Sequence, residues 1–169
     1  MSPFIFVVLH ISIVAYAVVG GVFLAFSDFI MRSLAHTGGV GGVEAMQVIN
    51  REVFRWVFMA LFLGMAAVSG FVVIYSAMNL AGGPGTLILV GALVYLLGCF
   101  AVTVLFNVPM NEALAGMDLT SDRTKEYWIN TYLPRWTMWN TVRTVACAVS
   151  AALVLIGLIW LTHVQMRLA

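Results

Sequence analysis

The chain has 169 residues, of which 63% are hydrophobic and 9% are charged, and its mean hydropathy is +1.04. Soluble domains are about 45–50% apolar and about 25% charged, so this composition excludes a soluble globular domain and a disordered chain. A net charge of +1 provides no basic field for nucleic acid. The two cysteines lie inside apolar runs and form neither a disulfide framework nor a zinc-finger pattern. The chain is therefore expected to lie in a lipid bilayer.

Four apolar stretches are long enough to cross a bilayer as helices, which takes about 20 residues each. They cover residues 4–31, 53–79, 85–107 and 136–163, with polar connections at 32–52 and 108–135. The stretches lack the alternation of strands, so they predict helices. We expect an all-α integral membrane four-helix bundle that forms a single transmembrane domain over residues 1–169.

The first stretch has no Lys or Arg before it and continues past Ala17, so we interpret it as an uncleaved span. Seven of the eight Lys and Arg residues lie between residues 32 and 143. By the positive-inside rule, this predicts that the two long connections are cytoplasmic and that both termini are outside. The expected location is the cell or inner membrane.

A shift of 80 residues aligns the chain with itself. Residues 49–56 and 129–136 then share the pattern I-N-x-x-x-x-R-W, and Phe26 aligns with Phe106. A duplication predicts two tandem helical hairpins of the same orientation, related by a pseudo-two-fold axis along the membrane normal. Chance similarity between two membrane interfaces is the alternative.

Polar residues concentrate where spans one and three end and spans two and four begin. In span four, Trp136, Asn140 and Arg143 lie on one helix face. Arg143 lies on the order of 12 Å deeper than Arg135. A lone Arg at the bilayer centre costs about 2.5–3.5 kcal/mol, so we predict that Arg143 faces the bundle and has partners there. The alternative is an Arg143 that reaches back to the surface.

The end of span three offers Asn107 and Asn111, which are four residues apart and can face one cavity. Pro109 removes a main-chain donor and so frees a carbonyl about one turn earlier. These groups predict a polar ligand site, or alternatively a helix break with Asn as a cap. Glu112 and Glu52 are the two candidates for the counter-ion of Arg143.

Other polar residues fit structural roles. Asp28 and Arg32 are four residues apart and predict an interfacial ion pair. His10 and His163 have no accompanying carboxylate or cysteine, so packed polar residues are favoured over metal or haem ligands. Four aromatic residues run into span four and form either an interfacial belt or a stacking wall for a flat ligand: Trp128, Tyr132, Trp136 and Trp139.

Three motifs identify a family resemblance. They are I-N-R at 49–51, F-N-V-P-M-N at 106–111, and W-x-x-x-Y-x-x-x-W-x-x-W-N-x-x-R-T at 128–144. In this order they resemble the anthrone oxygenase-like family of small four-helix integral membrane proteins. Fungal members oxidise polycyclic anthrones to anthraquinones, and many bacterial members have no assigned substrate. The resemblance also leads us to expect a His directly after Asn140, where this chain has Thr141.

The resemblance implies an oxygenase-like enzyme that acts on a lipophilic anthrone- or phenol-like aromatic, with cofactor-independent oxygen chemistry as the working hypothesis. The candidate catalytic residues are Arg143, Asn140, Asn107, Asn111 and Glu112. The candidate substrate-binding residues are Trp136, Trp139, Asn50 and Arg51. In this scheme the Arg and Asn side chains stabilise an enolate, and Glu112 or Asp28 takes the proton.

Two other functions stay open at this point. One is a non-enzymatic binding or transport module for a quinone, a lipid or a small aromatic. The other is a structural subunit of a membrane complex, since Ala146, Ala148 and Ser150 in span four permit close helix contact and an oligomer.

Overall fold

A computed structural model describes residues 2–55 and 57–168 as five helices, and that part of the chain contains no strand. The helices are α1 (Pro3–Ala35), α2 (Gly41–Glu52), α3 (Val57–Asn79), α4 (Gly82–Ala115) and α5 (Asp122–Val164), with helical backbone continuing to Leu168. All but α2 are long and apolar enough to cross a membrane. The predicted all-α four-helix bundle is confirmed, and the chain is an integral membrane protein.

Local sequence signals set two of the helix boundaries. Ser2 caps α1, since its hydroxyl accepts the Ile5 N–H at 3.4 Å, and Pro3 occupies the first helical position. The short turn between α3 and α4 has Gly82 at a φ of +73°, which a residue with a side chain rarely adopts. This turn makes α3 and α4 antiparallel neighbours.

Helix α5 is the centre of the bundle and packs along both α1 and α4, whereas α3 packs mainly on α4. Small residues allow the close contacts. A Cβ on Gly98 would lie 2.7 Å from the Ala146 Cβ, and one on Gly157 would lie 2.9 Å from the Pro84 carbonyl oxygen. The small residues of α5 therefore serve packing within the chain. Of the four membrane helices, α3 is the least buried.

The amphipathic helix α2 covers the bundle end at which the two long connections lie. Its Val43 and Met46 are buried against Leu114 and the aromatic face of α5. The Gln47 side-chain amide donates to the carbonyls of Leu114 at 2.8 Å and Met117 at 3.2 Å. These bonds tie α2 to the end of α4 and close one side of the region in which polar residues meet.

Three helices are π-helical at this level: α1 at Phe26–Ile30, α4 at Thr103–Asn107 and α5 at Trp128–Tyr132. Such turns shift the faces that a helix presents and are frequent at functional sites. The alternative of a helix break at Pro109 is wrong, because α4 continues to Ala115. The π-helical turn at Thr103–Asn107 ends just before Pro109.

The two halves of the chain show the same order of elements. In the first half, α1 with its π-helical turn leads into α2 and then into α3. In the second half, α4 leads into α5, whose residues 122–132 correspond to α2 under the shift of 80 residues. This order supports the predicted tandem hairpins. Trp56, which the repeat aligns with Trp136, lies outside the described residues.

Candidate functional site

Arg143 lies inside the bundle, and only 4% of its surface is exposed. One guanidinium nitrogen, Nη2, donates to Asn140 Oδ1 at 2.6 Å, and Nη1 donates to Thr103 Oγ1 at 3.2 Å. The Cζ atom lies 4.1 Å from the ring centre of Phe23 and 5.2 Å from that of Trp136. The predicted inward orientation of Arg143 is confirmed, and aromatic faces supply part of its stabilisation.

No described acidic residue forms an ion pair with Arg143. The two proposed counter-ions lie elsewhere: Glu52 pairs with Arg55 at 3.2 Å, and Glu112 is exposed. The Asp28–Arg32 pair forms as predicted, at 3.8 Å on the surface. The Arg143 cation is thus held by neutral dipoles and π faces, and its charge remains available to an anionic or electron-rich ligand.

Asn140 connects Arg143 to α1. Its amide nitrogen donates to the Phe23 carbonyl and to the Ser27 hydroxyl, both at 2.6 Å, and its oxygen accepts from Arg143. The Asn140 side chain is fully buried. Because both ends of this amide have partners, Asn140 orients the guanidinium and has little capacity left to contact a ligand.

A second network joins α2, α4 and α5. Asn111 Oδ1 accepts from the Tyr132 hydroxyl at 2.8 Å and from Trp136 Nε1 at 2.7 Å. Asn50 donates to the Tyr132 hydroxyl at 3.3 Å. The rings of Tyr132 and Trp136 are stacked at 6.0 Å, with an interplanar angle of 17°. Trp136 is therefore fixed both through its ring nitrogen and through its ring face.

Four buried side-chain polar atoms have no partner among the described residues, and two of them belong to these networks: Arg143 Nε and Asn107 Oδ1. The Asn107 amide nitrogen donates to the Trp136 carbonyl at 3.2 Å. Buried polar groups normally find a partner, because leaving one unpaired costs about 1–3 kcal/mol. Unsatisfied groups at this level mark it as a place where a ligand can supply the missing bonds.

A cavity of about 240 Å³ lies beside Arg143. Its polar wall consists of Arg143, Thr103, Asn50 and Asn111, and the rest is apolar or aromatic. The aromatic wall includes Phe23, Phe26, Phe58, Phe62, Phe100 and Trp136. A mostly apolar cavity with a few converging polar groups is typical of a small-molecule site.

The structure brings together only some of the predicted site residues. Arg143, Asn111, Trp136 and Asn50 line the cavity, whereas Asn140 and Asn107 lie directly behind that wall. Three others stand apart. Arg51 and Glu112 are exposed, and Trp139 stacks on Phe106 at 3.8 Å with an angle of 7°.

Sequence reasoning missed Thr103 and the phenylalanine wall, and it noted Ser27 near the end of span one without assigning it a role. A Thr or Phe inside an apolar span carries no signal by itself. Only the fold shows that Thr103 faces Arg143 and that Ser27 faces Asn140. The spacing of Phe54, Phe58 and Phe62 is the sequence pattern that could have indicated this wall, because residues four apart lie on one face of a helix.

In the described part of the chain, none of the three histidines lines the cavity. No group of three His, Cys, Asp or Glu residues there has metal-binding geometry. His10 is exposed and its Nδ1 lies 2.8 Å from the Phe6 carbonyl of the same helix.

Fold and site together define an integral membrane helical bundle with a buried cation beside an aromatic cavity. The chain belongs to the anthrone oxygenase family, whose sequence model matches residues 50–153. The match includes Asn50, Thr103, Asn111, Trp136 and Arg143, and the partners on α1 lie before it. Neither a curated protein nor a solved structure matches the chain with significant similarity.

Proposed function

We propose that this protein is a membrane-embedded oxygenase-like enzyme that oxidises a lipophilic anthrone- or phenol-like aromatic in the cavity beside Arg143. The observation that carries the proposal is the buried guanidinium of Arg143, which has no carboxylate partner among the described residues and borders a mostly apolar and aromatic cavity. The family supports the same type of reaction.

The cavity suits a flat substrate with one polar oxygen. Phe58 and Phe62 are stacked at 6.3 Å with an angle of 10°, and Phe23 meets both rings edge to face. A substrate ring placed among these side chains points its oxygen towards Arg143 and Thr103. The volume of typical small-molecule sites begins at about 300 Å³. The cavity volume of about 240 Å³ is slightly smaller, which favours a compact ligand.

The cation can promote oxidation by stabilising negative charge. When an anthrone loses a proton from its CH₂ carbon, charge develops on the carbonyl oxygen, and Arg143 lowers the energy of that enolate. The electron-rich carbon then forms a C–O bond with dioxygen, giving a hydroperoxide. Loss of the second C–H hydrogen with cleavage of the O–O bond gives the ketone and water. The CH₂ carbon is oxidised by four electrons, dioxygen is reduced by four, and the first proton is recovered in the water.

The proposed reaction also requires a base that accepts the first proton. Asp28 and Glu112 were the candidates, and both are exposed and absent from the described cavity wall. Their role as base stays a prediction. Arg143 acts in this proposal as the electrostatic group, and Asn140 and Asn111 position Arg143 and Trp136.

Oxygen uptake tests the proposal. Protein in nanodiscs receives anthrone, and uptake is measured with an oxygen electrode together with quinone formation, beside a protein-free blank because anthrones autoxidise. Arg143→Met should lower the catalysed rate by about 10²–10³-fold, the effect of removing one oxyanion donor. Arg135→Met, which changes an exposed Arg at the start of the same span, is the matched control.

Two results would contradict the proposal. One is equal uptake by the Arg143→Met and Arg135→Met variants, and the other is uptake by the intact protein no faster than the blank. Gel filtration and thermal unfolding of both variants separate a lost site from a lost fold. Arg143→Lys keeps the charge and should recover part of the rate.

A binding or transport module is the second candidate. It is favoured by the described cavity wall, which contains no Asp, Glu or His to move a proton. This function predicts stoichiometric binding of an aromatic ligand that depends on Arg143, without oxygen consumption.

We propose that the long connections face the cytoplasm of the cell or inner membrane, from the excess of Lys and Arg in them. A Ser121→Cys variant should then react with a membrane-impermeant maleimide only after lysis. Labelling of intact cells would reverse the orientation.

A further inference from the structure

The rim of the cavity differs from its inner wall. Four lining residues are exposed, and all are apolar: Val22 at 37%, Phe54 at 65%, Leu63 at 50% and Val104 at 48%. The polar lining residues are buried or half-buried. Polarity thus increases inwards, which is the reverse of a site that receives a polar ligand from water.

Two rim residues, Leu63 and Val104, lie within membrane-spanning helices. Leu63 is six residues after Val57, where α3 begins, which places it about 9 Å along that helix. Val104 lies in the apolar part of α4, and its neighbour Leu105 is exposed as well. Exposed apolar side chains at this depth on a membrane-spanning helix face hydrocarbon.

The packing of α3 leaves room for an opening on this side. Helix α3 is the least buried membrane helix and packs mainly on α4, while α1 and α4 are both anchored on α5. Phe58, Met59, Phe62 and Leu63 in its first two turns all line the cavity. On this side, the peripheral helix α3 is the element that encloses the cavity.

We infer that the cavity opens sideways to the bilayer at Leu63 and Val104, and that it takes its ligand from the membrane as a neutral, lipid-dissolved aromatic whose polar oxygen enters first. A charged ligand would have to cross an apolar rim without compensation, which is unfavourable. Within the described cavity wall, the charged residue is Arg143, which lies away from the rim. The chemical class of the ligand rests on the proposed function, whereas the route rests on the rim.

Ligand association tests the route without requiring oxidation. The probe is 1-hydroxyanthraquinone, which is already at the quinone level, and its visible absorbance is followed after rapid mixing with protein in vesicles. Val104→Trp should slow association at least about ten-fold, because an indole fills the opening. Leu63→Trp repeats the test from the opposite side of the opening.

Leu97→Trp is the matched control, since Leu97 is exposed on the same helix, about two turns from Val104, and does not line the cavity. It should leave association unchanged. Gel filtration confirms that all three variants keep the fold. Equal association rates for Val104→Trp, Leu63→Trp and Leu97→Trp would overturn the lateral opening.

A water-soluble probe provides the opposite arm. Anthraquinone-2-sulfonate, which is excluded from the hydrocarbon, should neither bind nor compete. If it binds as fast as the lipophilic probe, the site is reached from water and the inference fails. Absence of oxygen uptake with intact binding of 1-hydroxyanthraquinone would contradict the enzyme and leave the route standing.

Discussion

Two buried polar clusters in the same bundle differ in what surrounds them. The inner cluster consists of Tyr16, Ser69, Tyr95, Cys99 and Cys147. Its Tyr16 hydroxyl lies 2.7 Å from Ser69 Oγ, and Tyr95 donates to the Phe62 carbonyl at 3.0 Å. The two tyrosine rings are 4.8 Å apart, and the two sulfur atoms are 3.4 Å apart. All five residues are fully buried, so this cluster is packed core.

The outer cluster consists of Arg143, Asn140, Thr103, Asn111 and Trp136. It borders a cavity, and the Arg143 Nε atom has no partner among the described residues. Both clusters are polar and lie within apolar helices. Burial of polar groups therefore does not by itself identify a site in a membrane bundle. A site is better indicated by an adjacent cavity and by donors without partners, because a ligand can fill the cavity and bind to those donors.

Asn111→Leu should give the largest effect among changes that leave Arg143 in place. It removes the acceptor of the Tyr132 hydroxyl and of Trp136 Nε1, and each unpaired donor costs about 1–3 kcal/mol. We expect lower thermal stability and about ten-fold weaker binding of 1-hydroxyanthraquinone, since Trp136 loses its orientation. Asn130→Leu, at an exposed Asn of α5, is the control. Unchanged binding would show that the outer cluster does not depend on this acceptor.

Tyr95→Phe tests the inner cluster and should change stability alone. It removes one hydrogen bond to a carbonyl, which is worth about 0.5–1.5 kcal/mol. Thermal unfolding in nanodiscs measures the loss, with Tyr75→Phe as the control on the half-buried Tyr75. Oxygen uptake should be unaffected. A large loss of uptake at unchanged stability would place Tyr95 in the site and remove the distinction between the clusters.

Thr141→His should have the smallest effect. The family resemblance leads us to expect a His at this position, but Thr141 is exposed and its hydroxyl bonds to Ser27 Oγ at 3.0 Å and to the Thr137 carbonyl at 2.9 Å. It does not line the cavity. We expect oxygen uptake to change by less than about two-fold, or about 0.4 kcal/mol. A clear rise in rate would show that a base at this position reaches the substrate.

The four membrane helices could be predicted because a span is a local property: about 20 apolar residues suffice, whatever their partners. The inward orientation of Arg143 followed from the cost of a charge in hydrocarbon. Trp136 and Asn140 followed from helical spacing. The predicted residues that lie away from the described cavity wall share one feature. Arg51 and Glu112 are polar residues in the right segments, but their helix faces point outwards, and sequence position near a helix end does not fix that direction.

The π-helical turns explain why spacing was an incomplete guide. Each turn adds a residue to the helical repeat and rotates every later side chain relative to α-helical counting. In α4 two such turns precede Asn111 and Glu112 and rotate both residues relative to α-helical counting from the start of the span. In α1 the turn spans Phe26–Ile30 and includes Ser27, which meets Asn140 together with the Phe23 carbonyl.

The sequence by itself determined that this chain is a four-helix membrane protein with an unusual buried Arg and a family signature, since hydropathy and the cost of charge act on each segment separately. The tertiary structure decided which groups meet that Arg and where a cavity remains. Those features arise from long-range packing of α1, α3 and α4 around α5, where small residues set the helix separation and π-helical turns set the faces. No single segment contains that information.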